Sequence, residues 1–449
     1  MLTLLGAGVG VALLAWGLYQ LRVYPAVGAG YRAKVTCTAL FGSGRSFDTH
    51  VRSQISDDAY RILRPFRVRV DHDRRTVTSS LLGFFPRTAI FRDGLGATLL
   101  CDAPAANLGN PPAPVADVRA RGGSDWPRRA GTSALDQVVD AAFHEPDRRR
   151  LRRTYAVLVV QDGHVVAERY ACGITADTPM PGWSMAKSVL NALVGILVGE
   201  GRLRLGQQEL LPQWRSPDPR AAITLEDLLR MRTGLAFSEA YGNPWSDVLR
   251  MLYRSHDTAA CAARMPLAAA PGPVWQYASG TTNILSNIVR RAVGDDAYHA
   301  WPQRALFDRL GMRSALLEPD GAGTFICSSY MLATARDWAR FGQLFADGGR
   351  WQGAEILPDD WVRFTTTPTP QSPEGRYGAH WWLKLNPDVG GDSPAAQRIA
   401  PDTFFAVGHE GQTLSIVPSK RLVVVRLGAS IYIDAWNQAA FLADIQDAL

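Results

Sequence analysis

Ser184-Met185-Ala186-Lys187 sets a hydroxyl and an amine three residues apart. On a helix that spacing puts both side chains on one face and within reach of each other, so the amine can take the proton of the hydroxyl and leave a nucleophile. The choice of lysine carries weight. Of the 48 Lys+Arg residues only four are lysine, namely Lys34, Lys187, Lys384 and Lys420. Arginine keeps its proton at any accessible pH, whereas a desolvated lysine can act as a base. Unpaired backbone N–H groups at the start of the helix, beside Ser184, suit an oxyanion. Two later segments offer matching parts. Tyr277-Ala278-Ser279 supplies a phenol for proton exchange, with a lowered pKa if an ammonium lies close. Gly408-His409-Glu410-Gly411-Gln412 supplies a permissive backbone at Gly411 and, at Gln412, an N–H that could complete the oxyanion hole with that of Ser184. Each segment has a plain structural alternative: an N-cap serine with a surface lysine, a packing tyrosine, a turn histidine. Their occurrence in one chain favours chemistry.

The elements that would hold these residues follow from periodicity. Met185, Val189, Ala192, Leu193, Ile196 and Leu197 mark a helix ending near Gly199 or Gly201. An amphipathic helix is expected near Ser133 to Phe143, then a hairpin of Tyr155 to Val160 and His164 to Tyr170 turning at Asp162-Gly163. Helical patterns at Leu225 to Arg230, Asn283 to Val293 and Ala333 to Phe345 fill the middle. Strands return at His380 to Leu385, Phe404 to Val407, Thr413 to Val417 and Leu422 to Leu427, before a last helix over Ala435 to Ala448. Strands from both ends of a domain with helices between them predict an α+β fold, an antiparallel sheet flanked by helices with an inserted all-helical region.

Leu2 to Tyr19 contains no charged residue, a length suited to a membrane-spanning helix. Arg22, Arg32 and Lys34 follow it, which by the positive-inside rule alone would keep the body in the cytoplasm. Cys37 and Cys101 bracket the small region after it, either as a disulfide, which needs an oxidising compartment, or as two buried thiols. Arg67 to Val70 and Thr76 to Leu81 read as a hairpin in that region, and the proline-rich stretch from Ala103 to Pro127 as a linker. The expected organisation is a transmembrane anchor over 1–24, a small β-rich region over 25–110, a linker over 111–132 and a catalytic domain over 133–449. The net charge of +6 could suggest nucleic acid, but the run Arg148 to Arg153 reads as a solvated segment, and no nucleic-acid partner is expected. Zinc-finger spacing, a Walker loop and a dinucleotide glycine fingerprint are absent from the sequence, and no metal or organic cofactor is expected.

Ser184-x-x-Lys187, Tyr277-x-Ser279 and His409-x-Gly411, in this order, resemble the serine β-lactamase and penicillin-binding-protein superfamily. Ile223 to Leu229, with Arg232-Thr233-Gly234-Leu235, and Tyr330 to Phe345 are similar to segments of class C β-lactamase-related hydrolases. Phe237 to Trp245 resembles the substrate-covering loop of 6-aminohexanoate-dimer hydrolases. The likeness spans about residues 133–449. It implies Ser184, Lys187 and Tyr277 as catalytic residues, an oxyanion hole at Ser184 and Gln412, and substrate contacts from Tyr241, Ser279, His409 and Gly411. Two departures stand out: Ser279 replaces the amide of Tyr-x-Asn, and His409 replaces the lysine of Lys-Thr-Gly. An imidazole offers a penicillin carboxylate less than an ammonium does. Hydrolysis of a small ester or amide through an acyl-enzyme is therefore expected. A β-lactamase or DD-peptidase is the alternative on the same machinery, and a membrane-tethered sensor that stays acylated is the alternative from another class. Kinship with exported proteins adds to an extracytoplasmic placement.

Overall fold

The computed structural model describes residues 17, 22–46, 58–101, 108 and 126–449. The expected anchor, apart from Gly17 and residues 22–24, and most of the expected linker lie outside them. Among the described residues no helix is long and apolar enough to cross a membrane. The region expected to be β-rich opens instead with a helix over 22–37 that runs into a π-helical turn, Thr38–Gly42. That helix packs into the protein, with Arg32 and Lys34 buried: Arg32 reaches the Leu63 carbonyl and Lys34 ion-pairs with Glu318. Cys37 and Cys101 are both buried, and no disulfide joins them.

After the helix come four antiparallel strands in sequence order, β1 (Phe66–Asp71), β2 (Thr76–Leu81), β3 (Phe84–Arg92) and β4 (Gly96–Leu100). Period-two alternation sends Val77 and Ser79 inward and leaves Arg67 and Arg69 exposed. This unit shares the main hydrophobic core: Val23, Val27, Phe91 and Leu99 belong to the same buried cluster as Leu193, Trp338 and Val425.

The central sheet is built from both ends of the remaining chain. Its strands are β5 (Thr154–Gln161), β6 (His164–Tyr170), β7 (Phe404–Gly408), β8 (Gln412–Val417) and β9 (Leu422–Gly428), in the order β7-β8-β9-β5-β6, antiparallel throughout. Asp162-Gly163 makes the β5–β6 turn with both φ positive, at 50° and 73°. The middle strand β9 is buried along its whole length, as its run Leu-Val-Val-Val requires. Helices α1 (Ser133–Ala141) and α5 (Gln438–Ala448) cover one face. On the other face lies α4 (Ala335–Ala346), whose Gly342 sits against Val423 and Leu414. Trp338, Phe341, Leu344 and Phe345 of α4 are buried, each stabilising by about 1.5–3 kcal/mol.

Helices α2 (Ala186–Gly199) and α3 (Ser279–Val293) pack on each other. The insertion between β6 and β7 is not purely helical. Met180–Pro181, Met331–Ala333 and Leu316–Leu317 form a small sheet that fixes the approach to α2, with the Gly182 N–H on the Met331 carbonyl at 2.9 Å. The expected strand at His380 to Leu385 is irregular. His380 has φ 59°, and only Trp382 pairs with the sheet edge, through Phe405.

Candidate active site

Ser184 lies in a single 3-10 turn, Trp183–Met185, that feeds α2. Trp183 takes φ 49°, a left-handed conformation costly for a bulky side chain. Glycines allow the turn to sit where it does. A Cβ on Gly182 would overlap the Trp338 ring, and one on Gly408, at the end of β7, would overlap the Gly182 carbonyl oxygen. Every residue of α2 from Ala186 to Leu197 is buried, so Lys187 is drawn into the core with the helix that carries it.

Lys187 Nζ lies 3.0 Å from Ser184 Oγ, 3.2 Å from Ser279 Oγ and 2.7 Å from the Ser328 carbonyl oxygen. The carboxamide oxygen of Asn283, on α3, receives the Ser328 N–H and so steadies that carbonyl. Burial pulls the ammonium down to about 8, against the opposing pull of the Glu239 carboxylate. Tyr277 presents its ring to Lys187 Nζ at 4.9 Å, shares a hydrogen bond with Ser184 and packs on Trp382 and Tyr377. The expected lowering of its phenol is not found. Burial and the nearby Glu239 charge push it up, well outweighing the Ser184 hydrogen bond, so Tyr277 holds its proton.

Ser279 is buried at the start of α3 and joins the base to a group that motif and periodicity did not reveal. Its backbone N–H and hydroxyl donate to the two oxygens of Glu239 at 2.8 and 2.5 Å. The Tyr241 hydroxyl also donates to Glu239, at 3.0 Å, and lies 3.4 Å from Ser279 Oγ, while its ring is 43% exposed. Glu239 comes from an irregular loop, two residues before Tyr241. Its one legible signal is a carboxylate beside a residue already singled out.

His409 is exposed, stacked on Tyr241 at 5.9 Å and edge-on to Trp183 at 5.3 Å. Its Nε2 is 2.9 Å from the hydroxyl of Tyr60, a residue of the N-terminal region that the sequence did not connect to the site. Gly411, at φ 79°, lies over the buried Arg426, which donates to the Gly411 carbonyl at 2.9 Å. Gln412 is clamped by its side chain: Nε2 donates to the Gly428 carbonyl at 2.6 Å and Oε1 accepts the Gly428 N–H at 3.0 Å. Its backbone pairs with Gly408, the residue abutting Gly182. Beneath α2, His380 accepts from Thr282 and donates to the Leu229 carbonyl, and burial holds it neutral with a pKa down to about 3.

A match to the beta-lactamase family extends over residues 139–431. The chain belongs to that family. A 6-aminohexanoate-dimer hydrolase of Paenarthrobacter ureafaciens is 27% identical over 360 residues, covering 72% of this chain and 87% of that one. Two solved structures share the fold. A family VIII carboxylesterase superposes with TM-score 0.55 at 14% identity, over 72% of this chain and 99% of its own. A penicillin-binding protein homologue from Caulobacter crescentus does so with TM-score 0.54 at 17% identity, over 73% and 100%. As a member of the beta-lactamase family with these relatives, the chain is a hydrolase of the serine type.

Proposed function

We propose that the chain hydrolyses a small ester or amide in two steps through an acyl-enzyme on Ser184. The observation that carries this is Lys187 Nζ at 3.0 Å from Ser184 Oγ with its pKa drawn down to about 8 by burial. Neutral Lys187 takes the hydroxyl proton as Ser184 Oγ bonds to the substrate carbonyl carbon. The N–H groups of Ser184 and Gln412 receive the oxyanion. Tyr277, which keeps its proton, hands it to the leaving oxygen or nitrogen, and the proton that Lys187 took from Ser184 replaces it. Water then attacks the acyl carbon and gives a proton to neutral Lys187, and Ser184 Oγ takes that proton back as the acid leaves. Two features favour substrates without a carboxylate beside the scissile bond: the Glu239 carboxylate next to Lys187, and an imidazole ringed by Tyr241, Trp183 and Tyr60 where β-lactam-directed relatives carry lysine. The relative that acts on the 6-aminohexanoate dimer supports an amide among them.

Fluorophosphonate labelling with peptide mapping tests the nucleophile. The label is expected on Ser184, and Ser184→Ala is expected to abolish both labelling and turnover while leaving the fold intact. A label on another serine would falsify the assignment. A panel of p-nitrophenyl esters, linear amides and nitrocefin tests the class, with higher kcat/KM expected for the uncharged compounds.

A further inference from the structure

Among the described residues, eight large hydrophobic side chains stand exposed, and three of them crowd one hairpin tip: Leu82 at 63%, Phe84 at 70% and Phe85 at 39%. The tip is a two-residue turn, since Leu81 pairs with Phe84, and both turn residues have positive φ, Leu82 at 51° and Gly83 at 94°. Such turns favour Asn-Gly. A leucine there accepts backbone strain and an exposed side chain together, with none of the described residues covering it. Ile62, 61% exposed, lies at the same end, because Tyr24 holds the Ile62 carbonyl and packs on Phe66, whose strand partner is Leu81.

Charge points the same way. Residues 22–101 contain 13 of the Lys+Arg and six of the Asp+Glu residues, a net +7 against +6 for the whole chain. The whole positive excess therefore belongs to this unit, and Arg61, Arg67 and Arg69 are exposed beside the apolar cluster.

We propose that this end of the N-terminal unit docks on an anionic lipid bilayer. The tip of Leu82, Phe84 and Phe85 enters the boundary between headgroups and acyl chains, and the arginines meet lipid phosphates. A narrow protruding apolar tip with a basic rim suits a lipid surface better than a protein partner, which needs a broad patch of about 800 Å² per side.

Hydrogen–deuterium exchange on the full chain, with vesicles of phosphatidylcholine alone or with one quarter phosphatidylglycerol, tests this separately from any anchorage by residues 1–21. Peptides over 80–87 are expected to gain protection with the anionic vesicles. The Leu82→Ser/Phe84→Ser/Phe85→Ser variant is expected to lose that protection and to bind the vesicles at least tenfold more weakly. Arg67→Glu/Arg69→Glu is expected to weaken binding in low salt, with ester turnover unchanged in both variants. Unprotected 80–87 peptides on vesicle-bound protein would overturn the proposal. So would tip variants that abolish self-association in light scattering yet bind vesicles normally, which would make a second copy of the chain the occupant.

Discussion

Lys187 has to be neutral next to a hydroxyl near neutral pH, and the protein achieves this by burying the amine rather than by crowding it with cations. A depressed lysine pKa fixes the sign of the pH dependence. The base is active when unprotonated, so kcat/KM is expected to rise with pH and level off above about 8. Glu239 favours the ammonium form, so Glu239→Gln should move that limb to lower pH, and a pH–rate profile that stays put would remove Glu239 from the proton relay. Lys187→Arg should cost as much as Lys187→Ala, on the order of 10²-fold or more in kcat, because a guanidinium cannot accept the proton. Ser184 and Lys187 were legible in the sequence because helical spacing alone brings them together. Glu239 and Tyr60 were not, since each arrives from an irregular segment whose course depends on tertiary packing. The upward shift of the Tyr277 phenol was not legible, because sequence shows neither how completely a ring is desolvated nor that Glu239 lies close.

At the scale of elements, three pieces meet within van der Waals distance: the turn before α2, the end of β7 and the start of β8. Gly182 and Gly408 permit that meeting. Gly408→Ala would push β7 away from the nucleophile turn, and a displacement of about 1 Å at a reacting centre costs on the order of 10²-fold. The expected result is a fall in kcat far larger than the accompanying loss in Tm, measured on the same preparation. Strands β5 to β9 and helices α1 to α5 could be read from their apolar residues, as a repeating face in α1 and as apolar-rich runs in β9 and α2, which are buried nearly throughout. The stretch at His380 to Leu385 could not. Its alternation suits a strand, but His380 is turned into the core to hold Thr282 and the Leu229 carbonyl, and the backbone follows the imidazole.

At the scale of the molecule, the N-terminal unit is welded to the catalytic body. Lys34 and Glu318 are both buried, and Glu318 also accepts the Thr38 hydroxyl and the Ala97 N–H, so one carboxylate ties helix, sheet and body together. Lys34→Met would strand that carboxylate without its cation, a loss of about 3–5 kcal/mol, to be read as a lower denaturation midpoint at unchanged m-value. The scarcity of lysine did not separate this structural cation from Lys187, or either from the exposed Lys384 and Lys420; burial and direct pairing with an acid do that. The span of this tie also sets a timetable. Its two ends are 284 positions apart, which at 5–20 residues per second is roughly 15–60 s of synthesis. The central strand β9, which joins the two halves of the sheet, emerges later still. A growing chain therefore carries its nucleophile long before it can carry its site, and anything that must act on the unfolded polypeptide has that interval in which to do so.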